Sequence, residues 1–310
     1  MKYCTKCKAP TGIYMKEHRL ALCKEHYIEW FETQVTYAIK KYEMFSRKER
    51  ILLAVSGGKD SLALWQALSR LGYEVNGMYV SLGIQSDHYS EVSKQKCLQM
   101  AQKLGRKLHV VDLAQEMEAS VDELSEIFGK VCSSCGTVKR YFMNRLSLEE
   151  NYEVIATGHN LDDEVTTLFG NLMRWDETYL NRQYPVIEAR AGLARKVKPL
   201  VRVYEKQVAM YAIVSGIDYI RNECPYSADA TSMAYKENLG RFEADSPGLM
   251  RFFLTNFLKS RKEIRKEQEN IELKHCVQCG QPTLNEVCKY CKMKQKVREW
   301  RERQEKRKKN

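Results

Sequence analysis

No apolar run in this 310-residue chain approaches the ~18 residues needed to span a bilayer as a helix. The opening MKYCTKCKAP carries no secretory apolar stretch either. A membrane location is therefore excluded as an expectation, and the cytoplasm is expected by default. There is no G-x-x-x-x-G-K-[ST] run, so a Walker-type loop gripping a γ-phosphate is also excluded. Repeated helical or strand units are not evident. Acidic side chains are outnumbered, 40 Asp and Glu against 51 Lys and Arg, which leaves a net charge of +11. Such an excess attracts polyanions, nucleic acid first and an anionic membrane surface second. Cysteine, by contrast, is abundant, with 11 residues. The cytosol disfavours structural disulfides, so the spacing of these cysteines reads as metal or redox chemistry.

Composition divides the chain into three regions: an N-terminal cysteine-bearing unit over 1–30, a catalytic domain with a helical C-terminal part over 31–272, and a second cysteine unit with a basic tail over 273–310. In the middle region, short apolar runs at 51–55, 75–80, 107–111 and 153–156 read as buried parallel strands. A further short strand is expected at 218–220. Helical periodicity occupies 61–70, 95–104, 138–148, 164–173 and 204–215. Residues 176–198, with Arg182, Arg190 and Arg195, read as an irregular insertion, and 226–272 reads as helical, with 262–273 a charged exposed helix. Strands alternating with helices imply an α/β fold, a doubly wound parallel sheet of Rossmann-like type. Ligands of such sheets bind at the carboxyl ends of the strands.

The most specific motif stands at one such end. Ala54 and Val55 close a strand, Ser56-Gly57-Gly58 turn, and Lys59-Asp60-Ser61 open a helix. Gly57 and Gly58 let backbone approach a ligand with no Cβ in the way. The new helix presents free N–H groups and its positive dipole end. Two hydroxyls and an ammonium complete a cradle suited to pyrophosphate. The run is the signature of the PP-loop ATP pyrophosphatases. That resemblance implies cleavage of ATP between its α- and β-phosphates, adenine held by strand-end backbone near Ala54 and Val80, and Asp60 binding Mg²⁺ with the phosphates or ordering the loop.

Cys132 and Cys135 form a C-x-x-C at the start of a helix, where thiolate is favoured. Alone, this pair suits a zinc half-site or a redox couple. Cys224, in Asn222-Glu223-Cys224-Pro225-Tyr226, follows a short expected strand. If it converges on the pair, three thiolates can hold a 4Fe-4S cluster and leave one iron open to an exogenous sulfur. Buried unligated cysteine is the plainer alternative. A third motif runs Ala156-Thr157-Gly158-His159-Asn160-Leu161-Asp162-Asp163-Glu164. Gly158 permits close approach to a nucleotide. Asp162 and Asp163 sit where a carboxylate handles a metal or a proton, although Asp162 is equally explained as an N-cap or first-turn acid. His159 reads as a satisfied loop histidine.

At the termini, Cys4, Cys7, Cys23 and His26 form a Cys₃His set, and Cys276, Cys279, Cys288 and Cys291 a Cys₄ set. Paired knuckles at these separations indicate zinc. Four protein ligands close each site, so both zincs are expected to be structural. His18 and His275 are bystanders, and Cys97 is expected in the core. The tail from Lys292 to Lys309 is a basic helix or a frayed arm, suited to gripping phosphates.

Together these features resemble the tRNA 2-thiouridine synthetases of the TtuA type, related to TtcA and to the cytosolic wobble thiolases, over nearly the whole chain from Cys4 to Cys291. The resemblance implies that Cys132, Cys135 and Cys224 bind the cluster, that Lys139 and Asp163 are the catalytic pair, and that the terminal knots bind zinc. It favours Asp163 over Asp162 as the functional acid. It implies ATP-dependent replacement of the C2 oxygen of a uridine in tRNA by sulfur, with AMP and pyrophosphate released. The expected target is the T-loop 5-methyluridine at position 54, with the wobble uridine at position 34 as the alternative. The implied sulfur donor is a thiocarboxylated ubiquitin-like carrier protein, with inorganic sulfide or a persulfide as options. A homodimer is implied by resemblance alone. Three rivals remain: a non-thiolating PP-loop ligase such as a lysidine or GMP synthetase, a PAPS-reductase-like thiol enzyme, and a zinc-knuckle RNA-binding protein with a degenerate nucleotide fold.

Overall fold

The computed structural model describes residues 2–129, 131–190, 192–226, 231–261 and 273–309. Its centre is a six-stranded sheet made of β1 (Ile51–Ala54), β2 (Val75–Ser81), β3 (Leu108–Asp112), β4 (Val154–Thr157), β5 (Val186–Ile187) and β6 (Arg195–Val197). The strand order is β3-β2-β1-β4-β6-β5, and every pairing is parallel except β5 with β6. Order reverses between β1 and β4, so a crevice opens above their carboxyl ends.

Helices cover both faces, which is why the inner strands read as continuous apolar runs. On one side, α1 (Lys24–Lys41) and α2 (Lys59–Arg70) pack with Ile51 and Leu53 of β1 into the larger core. All residues of α2 from Ser61 to Leu68 are buried, because the helix is enclosed by sheet and neighbouring helices. α3 (Tyr89–Leu104) joins this layer through Cys97 and Met100. On the other side, α4 (Leu113–Met117), α5 (Val121–Phe128) and α6 (Val131–Glu149) close over Leu52, Met78 and Val80. The chain continues with α7 (Leu161–Met173), α8 (Glu177–Arg182), α9 (Glu205–Val214), α10 (Thr231–Asp245), α11 (Leu249–Ser260) and α12 (Lys289–Lys309). None of the described helices is long and apolar enough to cross a membrane.

Two expectations are corrected. Residues 176–198 are not an irregular insertion, since they contain α8, β5 and the fifth parallel strand, β6. The sequence of β6 is Arg-Lys-Val, so its pairing to β4 is carried by backbone and it lacks the apolar run that marked the other strands. Residues 218–220 form no strand. They run as a loop across the β1–α2 turn, where the Ile220 N–H donates to the Gly57 carbonyl at 2.9 Å. Smaller differences are at ends: α3 starts at Tyr89 and α6 at Val131, each several residues before the apolar periodicity becomes visible. The expected helix over 262–273 lies outside the described residues apart from Leu273. α10 and α11 fall within the segment read as helical.

The N-terminal knot packs on α1 and α9, with Glu17 accepting from Lys206 at 2.9 Å and from Gln207 at 2.6 Å. The C-terminal knot packs on α6, where Tyr290 stacks on Tyr141 with ring centroids 3.7 Å apart. The tail is a helix rather than a frayed arm. Arg298 and Arg301 pair with Glu118 and Glu123 of the α4–α5 region, so part of its basic face is occupied by this chain's own acids.

Candidate active site

Sterics set the shape of the turn between β1 and α2. Gly57 has φ of +79°, and a Cβ there would sit 2.6 Å from the Ser93 carbonyl oxygen. The Ser56 N–H donates to Ser61 Oγ at 3.1 Å, and Ser61 Oγ donates to the Gly58 carbonyl at 3.1 Å. The two serines thus tie the loop to the first turn of α2 and leave the helix N-terminus facing the crevice. The second close approach is at Gly158, where a Cβ would lie 2.9 Å from the Ser61 nitrogen. The loop after β4 can therefore lie directly against the loop after β1.

Charged groups crowd beside this cradle. Lys59 Nζ lies 3.1 Å from Asp60 and 2.6 Å from Glu205. Asn160 donates to Asp60 at 3.1 Å. Asn160 also caps α7, exchanging hydrogen bonds with Asp163 in a capping box. Lys236, from α10, bridges Asp163 at 3.0 Å and Glu205 at 2.8 Å. Asp162 accepts the Glu205 N–H at 2.8 Å. Burial disfavours every charge here, and the neighbours decide the outcome. Burial and the nearby Asp163 hold Asp60 above the ordinary carboxylate value although Lys59 opposes them. Burial likewise raises Asp162, to about 6. Lys59 and Lys236 are desolvated too, but Asp60 and Glu205 at the first and Asp163 and Glu205 at the second outweigh that effect and keep both lysines firmly charged.

Across the crevice, a cavity of about 130 Å³ is lined by Ala54, Val55 and Ser56 of the first loop, Val80 of β2, Cys135 and Lys139 of α6, and Cys224. One helix carries Cys132, Cys135 and Lys139 because α6 begins at Val131. Cys132 Sγ donates to the Tyr226 carbonyl at 3.4 Å, which draws the Cys224 segment to the same place. Burial raises the Cys224 thiol, with Cys135 and Cys132 adding to the rise and Lys139 opposing it. The three sulfurs and the Lys139 ammonium thus share one environment.

Among the described residues, ligand atoms converge within 4.8 Å of one another in two sets, Cys4, Cys7, Cys23 and His26, and Cys276, Cys279, Cys288 and Cys291. The knuckles share a backbone design. Lys8 donates to the Cys4 carbonyl and Gly280 to the Cys276 carbonyl, and both Lys8 and Gly280 have positive φ. The two clusters are therefore alike in local backbone and not only in composition. The three core thiols do not make so tight a set.

His159 stays in the loop, exposed and bonded to Thr157 Oγ1 at 2.8 Å. Cys97 is buried in the larger core, and burial pushes its thiol up to about 12. Sequence reading missed Asn160, Glu205 and Lys236. The Asn160-x-x-Asp163 capping box was available as a signal. Nothing in local spacing could have linked Lys236 to a site formed by residues far earlier in the chain.

A strand-end Ser-Gly-Gly-Lys cradle beside a cavity lined by Cys135, Cys224 and Lys139, with Cys132 on the same helix, defines a nucleotide-activating α/β protein with metal-capable termini. Residues 26–233 match the PP-loop domain family, and residues 3–28 match the family described as 2-thiouridine synthetase TtuA, N-terminal LIM domain. The chain is 43% identical over 291 residues to a tRNA-5-methyluridine(54) 2-sulfurtransferase of Thermus thermophilus, covering 94% of this chain and 90% of that protein. It is 41% identical over 297 residues to the protein of the same name from Thermotoga maritima, covering 95% and 96%. The U34-tRNA thiolase NcsA from Methanococcus maripaludis, solved with its [4Fe-4S] cluster, shares the fold with a TM-score of 0.74 at 22% identity, over 94% of this chain and 95% of that one. The chain belongs to the PP-loop family, in its TtuA-type 2-thiouridine synthetase branch.

Proposed function

We propose that this chain is an ATP-dependent tRNA uridine 2-sulfurtransferase acting on 5-methyluridine 54. The observation that carries the reading is the single cavity where the Ser56 loop, Lys139, Cys135 and Cys224 meet. A phosphate-cradling loop and clustered thiols serve one reaction when they face each other. Close relatives over nearly full length carry that activity in their names, which supports the choice of position 54 over the wobble position.

In this reading the loop from Ser56 to Ser61 holds the β- and γ-phosphates of ATP through backbone N–H groups and Lys59. Ala54, Val55 and Val80 border the adenine, and Gly158 lets the loop after β4 lie against the first turn of α2. The uridine C2 oxygen bonds to the α-phosphorus and pyrophosphate leaves. Lys139 stabilises the charge developing on the phosphoryl oxygens. Asp163, fixed by its capping box and by Lys236, orients the base or accepts its proton. Asp60 and its acidic neighbours suit Mg²⁺, which would offset their charge beside the phosphates. A sulfur nucleophile then bonds to C2 as the C2–O bond breaks, and the oxygen departs with AMP, a far better leaving group than oxide. Cys132, Cys135 and Cys224 would hold a 4Fe-4S cluster, whose chemistry when bound is to present sulfur at this cavity.

The proposal includes structural zinc in both terminal knots, the division into 1–30, 31–272 and 273–310, a cytoplasmic homodimer, and a thiocarboxylated ubiquitin-like carrier or inorganic sulfide as donor. The test is pyrophosphate release from ATP by anaerobically prepared enzyme with tRNA that carries unthiolated 5-methyluridine 54, scored together with 2-thio-5-methyluridine in the product. Pyrophosphate release should require tRNA, and 2-thio-5-methyluridine should appear only when a sulfur source is present as well. Release without thiolation under those conditions would favour a non-thiolating ligase.

A further inference from the structure

A second and larger cavity, about 510 Å³, shares no lining residue with the first and has no part in the chemistry above. It is built by the segment from α8 through β6, and Arg182, Tyr184, Glu188, Arg190, Leu193 and Lys196 line it. Alternation along β6 explains how a lysine comes to face it. Arg195 turns to Met44 and Glu49, and Val197 is buried in the larger core. Lys196 therefore projects from the opposite face of the sheet, the face covered by α6.

Among the described residues, Arg182, Arg190, Lys196 and the nearby Arg140 of α6 make no ion pair. Glu188, the acid at the wall, bonds to Arg195 at 3.3 Å. Burial lowers Lys196 to about 8, and the Arg140 and Arg190 guanidiniums push the same way. A cavity that gathers Arg182, Arg190 and Lys196 against the single acid Glu188, itself bonded to Arg195, keeps an excess of positive charge that an entering anion would offset.

Helix α6 relates this cavity to the active site. Cys135, Lys139 and Met143 line the first cavity. Gly136 and Arg140 form the adjoining stripe, with the Arg140 guanidinium folded over Gly136. Three long cationic side chains around a wide space suit phosphates strung along a backbone. A lone small anion would be better held by a cradle of backbone N–H groups, as at Ser56. We propose that this cavity seats a phosphodiester segment of the RNA substrate next to the modified uridine, with Arg182, Arg190 and Lys196 on its phosphates. The inference rests on the functional reading above in taking RNA as the substrate.

The test uses full-length enzyme and fluorescently labelled unmodified tRNA, titrated at several salt concentrations, with ATP affinity measured on the same preparations. R182Q/R190Q should weaken tRNA binding about tenfold or more and reduce the slope of log affinity against log salt by roughly two, at unchanged ATP affinity. K196M keeps the aliphatic stem, should weaken tRNA binding about threefold or more, and decides the matter if the double variant is poorly folded. Variants that bind tRNA within twofold of wild type overturn the inference. So does loss of inorganic pyrophosphate binding, measured with the loop filled by a non-hydrolysable ATP analogue, if tRNA affinity is unmoved, because the cavity is then a small-anion site. Wild-type enzyme that binds ATP but no tRNA refutes the functional reading itself, and the cavity inference with it.

Discussion

The Lys236 ammonium lies 3.0 Å from the Asp163 carboxylate, and its other contact is Glu205 at 2.8 Å. Glu205 in turn contacts Lys59 in the phosphate loop. A chain of alternating charges therefore joins α10 to the loop, and Asp163 is held from two sides, by Lys236 and by the Asn160 backbone. Replacing Lys236 with Met should leave Asp163 without its cation, while Glu205 keeps Lys59. Thiolation kcat should fall about 10- to 100-fold. K236R should recover much of it. Steady-state assays of tRNA thiolation check this, with tRNA affinity as the control that should not move.

Gly57 is the loop position with least freedom to change. Gly57→Ala would place a methyl against the Ser93 backbone oxygen at a positive φ. We expect a loss of roughly 2 kcal/mol or more in stability and ATP binding too weak to measure by calorimetry. Gly12→Ala, where a Cβ meets nothing within 4 Å, is the matched control and should bind ATP as wild type does.

Asp162 makes a pH prediction whose sign follows from its burial. Its carboxyl titrates near 6 in the folded chain against an ordinary 3.8, so the folded state binds the proton more tightly than the unfolded state. The contribution to stability is fully present below about pH 4 and is lost as pH rises through about 6. Asp162→Asn keeps an acceptor for the Glu205 N–H and removes the titration. Denaturation at pH 4 and at pH 8 should show the variant gaining on wild type by on the order of 2 kcal/mol at the higher pH.

The C-terminal knot supports α6 through the Tyr290–Tyr141 stack and holds α4 through the Tyr290 hydroxyl, which donates to the Glu116 carbonyl at 3.2 Å. Cys288→Ser should reduce bound zinc from two ions to one per chain and lower Tm by several degrees. It should also cut thiolation, because α6 carries Cys132, Cys135 and Lys139. On the proposed zinc assignment Cys4→Ser should remove the other ion, but that knot docks on α9 through Glu17, so thiolation should suffer less. Elemental analysis alongside activity separates the two.

What could be read directly from the sequence follows from where the information is local. β1, β2 and β4 were legible because burial on both faces writes a continuous apolar run. The phosphate loop was legible because its residues are contiguous, and the knuckles because ligand spacing is short. β6 was illegible because Arg195 and Lys196 serve an ion pair and a cavity, so the strand has no apolar signature. The extended stretch at 218–220 resembled a strand but pairs with the Gly57 loop and not with the sheet. Lys236 and Glu205 come to the site by tertiary packing alone, and only Lys139 and Asp163, within recognisable motifs, could be nominated in advance.

The central claim is that the phosphate loop and the thiols of Cys132, Cys135 and Cys224 beside it perform one reaction, ATP-driven replacement of oxygen by sulfur. The most direct measurement is mass spectrometry of nucleosides from tRNA that carries unthiolated 5-methyluridine at position 54, incubated anaerobically with ATP, a sulfur source and iron-reconstituted enzyme. Wild type should form 2-thio-5-methyluridine, while Cys132→Ala, Cys135→Ala and Cys224→Ala enzymes, still folded and still binding ATP, should form essentially none. Thiolation by those three variants at the wild-type rate would contradict the account.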